Sequence, residues 1–440
     1  MKRNIISSAI ILAVFCSGFY GGKLYNQKEH EKDLVVKDKN ISDIVKTWSI
    51  IDNNFIYPLS EKQKEEMRDG AIQGMMSKID PHSAWWNKEN QKALSDKIKG
   101  EYGGVGIRYV LDKKNKSYHV IAVKKNGPAD KAGIESGDIL LKINGLGSDN
   151  DNFINGFRGA VGSDVEIEFS HNKVINTVKI KREKIEAFGV YSKVNSIGEA
   201  DWLTIRIADF QETTVNEVAA AIRDNWYKLN KDHNGIIIDL RGSPGGLVDV
   251  SSGVASLFLQ AHKNVVNIET RDSEKMVFDT VSYPTEAWTG WAKETPIIIW
   301  TDKTTASAAE ILVAALKENN RVRFTLGSKT FGKGSVQTTL PVSENEKATL
   351  TVGFYTTPDK NYLQWHGVVP DVELAYPSLI QNSLNNVSEK NMVASLAPPA
   401  ETHDIKPKVS LNVSQADFDD KSVDDIYIEK TAEAIEKYHL

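Results

Sequence analysis

The spacing of hydrophobic residues predicts two helices near the start of the chain. Ile44, Trp48 and Ile51 recur every three or four residues and would share one helical face. A second helix is expected from about residue 61 to residue 78, where apolar residues again follow a spacing of four. The pattern therefore predicts a helical N-terminal region over residues 23–99.

Between residues 100 and 183 the pattern changes to short β-branched runs. Segments such as YHVIAV and VEIEF are separated by turns that contain glycine, which is typical of a small β domain. The glycines before the first strand can turn their backbone N–H groups into one concavity that suits a peptide carboxylate. The free edge of that strand can accept an added peptide strand. The candidate carboxylate-binding residues are Gly103, Gly104, Val105, Gly106 and Ile107.

From residue 184 onward, strands alternate with helices. The apolar runs at 236–238 and 296–300 have the composition of buried parallel strands. Repeated βα units predict a parallel sheet with right-handed crossovers, and sites in such sheets gather at the carboxyl ends of the strands. The segments DLRGSPGG (239–246) and TTASAAE (304–310) both occupy that position.

These patterns predict a multi-domain α/β protein. The core domain should cover residues 184–375, with some contribution from the N-terminal region. After residue 375 the chain becomes polar, and we expect residues 376–440 to form a linker and a C-terminal helical extension. The last helix should run from about residue 422 to residue 438.

Composition and charge then narrow the functional classes. The chain has 440 residues, 40% of them hydrophobic and 26% charged, which is the globular range. Its net charge of −5, without a large basic block, argues against nucleic acid as a partner. Lys2 and Arg3 precede an uncharged run, so residues 1–22 read as a signal peptide or N-terminal anchor. We therefore expect a bacterial cell-envelope protein, periplasmic or anchored in the inner membrane facing the periplasm.

The candidate chemistry centres on Ser307 at the start of a predicted helix. No G-x-S-x-G motif occurs in the chain, which leaves a serine–lysine pair as the alternative. Lys333 lies in a turn between two glycines, and burial there would lower its pKa enough for it to act as a base. Gln337 could orient that lysine. The backbone N–H of Ala308, with that of Gly245 or Gly246, could stabilise an oxyanion.

Taken together, these motifs resemble the carboxyl-terminal processing proteases, also called tail-specific proteases. DLRGSPGG, TASAAEI and TFGKGSVQ follow, in that order, a segment that is similar to a PDZ domain in the permuted form of bacterial proteases. The resemblance covers roughly residues 41–374. It implies a crotonase-like ββα protease core with an inserted PDZ domain over residues 100–183.

The resemblance also implies roles for individual residues. Ser307 would be the nucleophile, Lys333 the general base and Gln337 the third member of the catalytic site. Gly245 and Ala308, and less directly Gly246, would form the oxyanion hole. Arg158 matches a PDZ arginine that the resemblance links to substrate-dependent activation. The sequence departs from the family pattern at 364–366, where Gln-Trp-His replaces a smaller turn.

The predicted activity is that of an exported serine endopeptidase that cleaves proteins near their C-termini and needs no metal or cofactor. Expected partners are protein or peptide C-terminal tails, an adaptor protein and a second copy of the chain in a homodimer or higher oligomer. Membrane association would run through residues 1–22. The alternative is a non-catalytic PDZ scaffold, or a peptide- or ligand-binding protein, on the same fold. His82, in a turn after the second helix, is interpreted as structural, and GSKTFGKG (327–334) departs from a nucleotide-binding P-loop because a strand follows it.

Overall fold

The structure is a computed structural model, and the residues that it describes divide into two compact units, one up to residue 74 and one from residue 75 onward. It describes residues 38–87, 101–112, 117–123, 127–135, 138–148, 153–157, 159–171, 174–186, 189–229, 234–271, 275–283, 286–377, 387–400 and 405–438. The predicted signal or anchor at residues 1–22 and the predicted sensor Arg158 lie outside these ranges.

The first described elements are helices, as the hydrophobic spacing predicts. Helix α1 spans Lys39–Asn54 and helix α2 spans Glu61–Met76, followed by the short strand β1, Ala84–Trp86. Asp38 caps α1, because its Oδ1 accepts a hydrogen bond from Asn40 N at 2.7 Å. No residue of α1 is buried.

The next module is built almost entirely of β-strands. Its elements are β2 Glu101–Gly104, β3 Ile107–Asp112, β4 Ser117–Val123, α3 Pro128–Lys131, β5 Ile139–Ile143, β6 Leu146–Gly147, β7 Asp164–His171, β8 Val174–Lys181 and β9 Glu183–Glu186. One sheet has the order β3-β4-β5-β7-β8, with β6 beside β5, and β2 pairs with β9. Strand β3 therefore lies at an edge of its sheet.

The remaining elements form the core. They are β10 Val190–Ile197, β11 Ala200–Ile207, α4 Thr214–Arg223, β12 Asn234–Asp239, α5 Val248–Phe258, β13 Asn264–Thr270, β14 Lys275–Asp279, α6 Ala287–Glu294, β15 Ile297–Thr301, α7 Ala308–Glu318, β16 Phe324–Gly327, β17 Ser335–Ser343, β18 Glu346–Thr356, β19 Val372–Ala375, β20 Val409–Asn412, α8 Gln415–Asp420 and α9 Val423–Tyr438.

A seven-stranded sheet organises this core in the order β10-β11-β12-β15-β16-β19-β20. All neighbours from β11 onward are parallel, so the predicted parallel sheet is confirmed. A second, antiparallel sheet contains β1, β13, β14, β17 and β18. Among the helices in the described ranges, none is long and apolar enough to cross a membrane.

The central strands are buried on both faces. Ile236 and Ile238 of β12 point into the core cluster that contains α4, α5 and α7, whereas Ile237 between them points into a second cluster with α9. This alternation is the strand period of two. Burying such a side chain stabilises the fold by about 1.5–3 kcal/mol relative to exposure. The uninterrupted isoleucine run is therefore explained by a sheet that is covered on both sides.

The C-terminal segment completes the sheet. Residues 376–440 were expected to form a linker and a helix, but the structure adds β20 to the sheet edge beside β19, in parallel register. Helix α9 then packs over the open face, where Tyr427 lies against Trp300 and donates from its hydroxyl to Thr301 O at 2.9 Å. A four-residue strand at an edge carries too weak a pattern to be recognised beforehand.

Helix α9 also reaches the segment that follows β12. The buried Arg241 guanidinium binds Asp239 through two hydrogen bonds of 2.8 and 2.7 Å and binds Asp424 of α9 at 2.7 Å. It lies over the rings of Trp300 and Tyr427. The C-terminal helix is therefore tied to DLRGSPGG by a charged and aromatic cluster.

The pKa of Asp424 predicts how this contact responds to pH. Burial raises this pKa, but the effect of Arg241 and Lys193 is larger and brings the pKa down to about 2. The carboxylate therefore stabilises the fold above its unfolded-state pKa of about 4, and this stabilisation is lost as the pH falls through about 2. Because the side chain is 43% exposed, we expect Asp424→Asn to lower the free energy of unfolding by only about 1 kcal/mol at pH 7.

Urea unfolding at pH 7 and pH 3 measures this effect, and the difference between parent and variant should shrink at the lower pH. Glu436→Gln, on an exposed position of the same helix, is the matched charge control. A constant difference across this range would contradict the assigned ion pair.

Candidate active site

The segments that follow β12 and β15 are joined at the carboxyl edge of the sheet. Ala306 N donates to Ser243 O at 2.9 Å, and Thr305 Oγ1 donates to Leu240 O at 2.9 Å. Because β12 and β15 are adjacent parallel strands, both segments leave the sheet on the same side. The structure thus brings together the two motif segments that the strand pattern placed at this edge.

Ser307 stands at the N-terminal end of α7. Its φ of 54° and ψ of −122° are unusual for a residue with a side chain, and such strain persists only where the surroundings hold it. The residue is 6% exposed. The positive end of the α7 dipole favours negative charge that develops at this position.

Gly245 packs directly against Ser307 and Ala308. A Cβ atom on Gly245, which has a φ of 88°, would lie 2.6 Å from Ala308 N and 2.8 Å from Ser307 Cβ. The two predicted oxyanion donors Gly245 and Ala308 are therefore neighbours in space. Gly246 contacts Phe210 instead, whose carbonyl oxygen would lie 2.2 Å from an added Cβ.

Lys333 and Gln337 are also in contact. Lys333 Nζ donates to Gln337 Oε1 at 3.0 Å. The amide nitrogen of Gln337 donates to Ser335 Oγ at 2.9 Å and to Thr351 Oγ1 at 3.1 Å. The Gln337 carboxamide thus has one partner on its oxygen and two on its nitrogen.

A buried carboxylate that the sequence reasoning missed connects the serine and the lysine. Glu310 Oε2 accepts from Ser307 N at 2.8 Å and from Lys333 N at 2.9 Å, so these two backbone nitrogens lie within two hydrogen-bond lengths of each other. Its Oε1 accepts from Gly332 N at 2.7 Å and from the Thr330 hydroxyl. One side chain thus joins the start of α7 to the turn that carries Lys333.

Glu310 is fully buried among the apolar residues of the first turns of α7. Burial raises its pKa to about 7, against the lowering effect of the four hydrogen bonds. The Ser307-x-x-Glu310 spacing is that of a capping box, which is the signal that could have identified this residue. Here the glutamate does accept from the N-cap backbone, and it also binds a distant turn.

The predicted carboxylate-binding residues lie elsewhere, in the β-rich module. Gly103 and Gly104 end β2 opposite Lys184 and Glu183, and Gly106, with a φ of 78°, turns the chain into β3. The side chains of the other two, Val105 and Ile107, are buried in the core of the module. The backbone of this turn, together with the edge of β3, is therefore the part that remains suited to a peptide.

Comparison with known proteins identifies two families in this chain. The profile of Peptidase family S41 matches residues 201–374, and that of the PDZ domain matches residues 119–146. A carboxy-terminal-processing protease of Bartonella bacilliformis is 32% identical over 320 residues, which cover 71% of this chain and 70% of that protein. The carboxy-terminal processing protease CtpA of Bacillus subtilis is 31% identical over 354 residues, covering 79% and 72%.

Among solved structures, the photosystem II D1 C-terminal processing protease matches with a TM-score of 0.46 and 22% identity, covering 80% of this chain and 97% of that one. The sequence relatives establish the class of protein: this is a PDZ-containing serine peptidase. The chain belongs to the carboxy-terminal processing proteases of Peptidase family S41. The resemblance found in the motifs is thereby confirmed.

The close approach of Gly245 leads to a specific prediction. In Gly245→Ala the new Cβ would lie 2.5 Å from Ala306 O, so the loop must move away from Ser307. If its N–H is an oxyanion donor, kcat for peptide cleavage should fall by about 100-fold or more. Steady-state kinetics with a peptide substrate measures this loss.

Gly290→Ala serves as the control, because outside its own helical turn no atom lies within 4 Å of the position where its Cβ would be. This variant should cleave as the parent does. If Gly245→Ala keeps the parent's kcat, Gly245 does not contribute to the oxyanion hole.

Proposed function

We propose that this protein cleaves protein substrates near their C-termini with a Ser307–Lys333–Gln337 catalytic site on a crotonase-like ββα core. The observation that carries the proposal is the double connection between the two halves of the site. Glu310 binds the backbone N–H groups of both Ser307 and Lys333, and Lys333 Nζ is held by Gln337. Such fixed geometry is what a serine–lysine pair requires.

The reaction follows from these positions. Neutral Lys333 removes the proton of the Ser307 hydroxyl as the oxygen attacks the substrate carbonyl carbon. The backbone N–H groups of Gly245 and Ala308 receive the oxyanion, supported by the α7 dipole. Lys333 then gives the proton to the leaving amine. In the second half, Lys333 takes a proton from water as the water oxygen attacks the acyl carbonyl carbon, and it returns that proton to Ser307 Oγ as the acyl–oxygen bond breaks.

The PDZ domain would deliver the substrate's tail. The Gly103–Ile107 turn would bind the terminal carboxylate through backbone N–H groups, and the tail would add as a strand along the edge of β3. Two observations support this: β3 lies at the sheet edge, and Gly106 turns the backbone just before it. We assign the sensor role to Arg158 on the family resemblance alone.

The catalytic assignment is tested by removing each reacting group. Ser307→Ala and Lys333→Ala should each abolish cleavage of a C-terminal tail peptide, because one lacks the nucleophile and the other lacks the base. In the parent, kcat should rise with pH through a single deprotonation. Mass spectrometry of the products measures cleavage.

The alternative, a non-catalytic PDZ scaffold, makes the opposite prediction. In that case the parent would bind the tail peptide and leave it intact. If either variant, Ser307→Ala or Lys333→Ala, still cleaves the peptide, the serine–lysine site is excluded.

Recognition of the carboxylate is tested with a pair of peptide substrates that differ only at the C-terminus. A peptide with a free C-terminus should have a KM about 10-fold lower than the same peptide with an amidated C-terminus, since the amide loses a charge-assisted hydrogen bond. The substitution Gly106→Ala, at a φ of 78°, should reduce this difference. Equal KM values for both peptides would contradict carboxylate binding by the PDZ domain.

We further propose that the protein is exported and acts in the bacterial cell envelope, released into the periplasm or held by residues 1–22. A homodimer or higher oligomer through the N-terminal helices is supported by the exposed apolar residues of α1, among them Ile44, Val45 and Ile50. An adaptor protein would be a further partner.

A further inference from the structure

The turn that carries Lys333 contacts a second buried polar side chain besides Glu310. We call residues 330–334 the lysine turn. The Gln364 Oε1 atom accepts from Gly334 N at 2.8 Å, and Glu389 N donates to Phe331 O at 3.0 Å. The residues before and after Lys333 are thus bound by the segments around Gln364 and Glu389.

The orientation of Gln364 is fixed by the nature of its partners. Its Oε1 faces a backbone N–H, which can only donate, and its Nε2 faces Leu396 O at 2.8 Å, which can only accept. The side chain is fully buried. A flipped or shortened side chain would leave buried groups without partners, which costs about 1–3 kcal/mol for each group.

Glu389 is buried to the same degree and accepts from three side chains. His82 Nε2 lies 2.9 and 3.0 Å from its two carboxylate oxygens. Gln364 Nε2 donates to its Oε1 at 3.3 Å and Ser395 Oγ donates to the same atom at 3.4 Å. Segments far apart in the chain thus meet at one carboxylate directly behind the lysine turn.

The turn that supplies His82 also supports Gln337. Asp80 holds this turn, since its Oδ1 accepts from His82 N at 2.7 Å and its Oδ2 accepts from Ser83 Oγ at 2.6 Å. Ser83 Oγ in turn accepts from Thr351 N at 3.2 Å. Thr351 Oγ1 is one of the two hydroxyl oxygens that accept from Gln337 Nε2. The turn at residues 80–83 therefore contacts Glu389, which binds the lysine turn, and Thr351, which binds Gln337.

We propose that Gln364, Glu389 and His82 are positioning residues for the lysine of the catalytic site. They fix the backbone of the lysine turn, which carries the side chain whose Nζ binds Gln337 Oε1. The proposal rests on the proposed role of Lys333 as general base. It assigns a function to His82 and to Gln364.

The first test measures how readily the backbone of the lysine turn opens, and it does not depend on catalytic activity. Hydrogen exchange of a peptide covering residues 328–337 should be faster in Gln364→Met and His82→Leu than in the parent, because Gly334 N–H loses its acceptor or the network that orients it. Thr431→Val is the matched control. It removes a buried hydrogen bond to Trp300 on the other face of the sheet and should leave exchange in this peptide unchanged.

The second test measures kinetics on the same full-length proteins, well below their thermal midpoints. We expect Gln364→Met and His82→Leu to lower kcat by about 10- to 100-fold, as small misplacements of a reacting group do, while KM stays within about threefold. The midpoint of the kcat rise with pH should move upward, because a displaced Nζ is better solvated. His82→Gln keeps a donor toward Glu389 and should restore most of kcat.

The outcomes separate the two proposals. If Lys333→Ala retains activity, the proposed base is wrong whatever the other variants show. If Lys333→Ala is inactive while Gln364→Met and His82→Leu keep the parent's kcat and pH midpoint, the positioning role is overturned. A loss of kcat that equals that of Thr431→Val, with no shift in the pH midpoint, would likewise overturn it by indicating general destabilisation.

Discussion

The buried carboxylate of Glu310 is the constraint on which the active site depends. It accepts four hydrogen bonds, three of them from backbone N–H groups on either side of the site. A carboxylate this deeply buried is tolerated only when its oxygens are fully satisfied. The start of α7 and the lysine turn therefore cannot separate without leaving buried donors and acceptors unpaired, and this fixes Ser307 and Lys333 relative to each other.

The second constraint is the topology of the parallel sheet. Strands β12 and β15 are neighbours although α5, β13, β14 and α6 separate them in the chain. Their carboxyl ends deliver Gly245 and Ser307 to one place, where the absence of a Cβ on Gly245 permits the close approach. The strand order thus determines which residues meet at the site. The space left between them explains why residue 245 is a glycine.

Segments that flank the core in the sequence contact the loops of the same site. The C-terminal helix binds Arg241 through Asp424, just before the loop that contains Gly245. The turn around His82 and the residues near Glu389 lie behind Lys333. Parts of the chain that look like extensions in the sequence are therefore packed against the two loops that carry the proposed chemistry.

Much of this was determined by the sequence alone: the helices, the buried strands, the edge of the sheet at which Ser307 lies, and the family itself. These depend on local periodicity and on motifs with fixed chain order, which one chain displays directly. Tertiary structure alone decided the bonds from Glu310 to the lysine turn, the place of β20 in the sheet, and the contact between His82 and Glu389. Each joins residues distant in the chain, and a buried polar group shows its donors only once the fold brings them together.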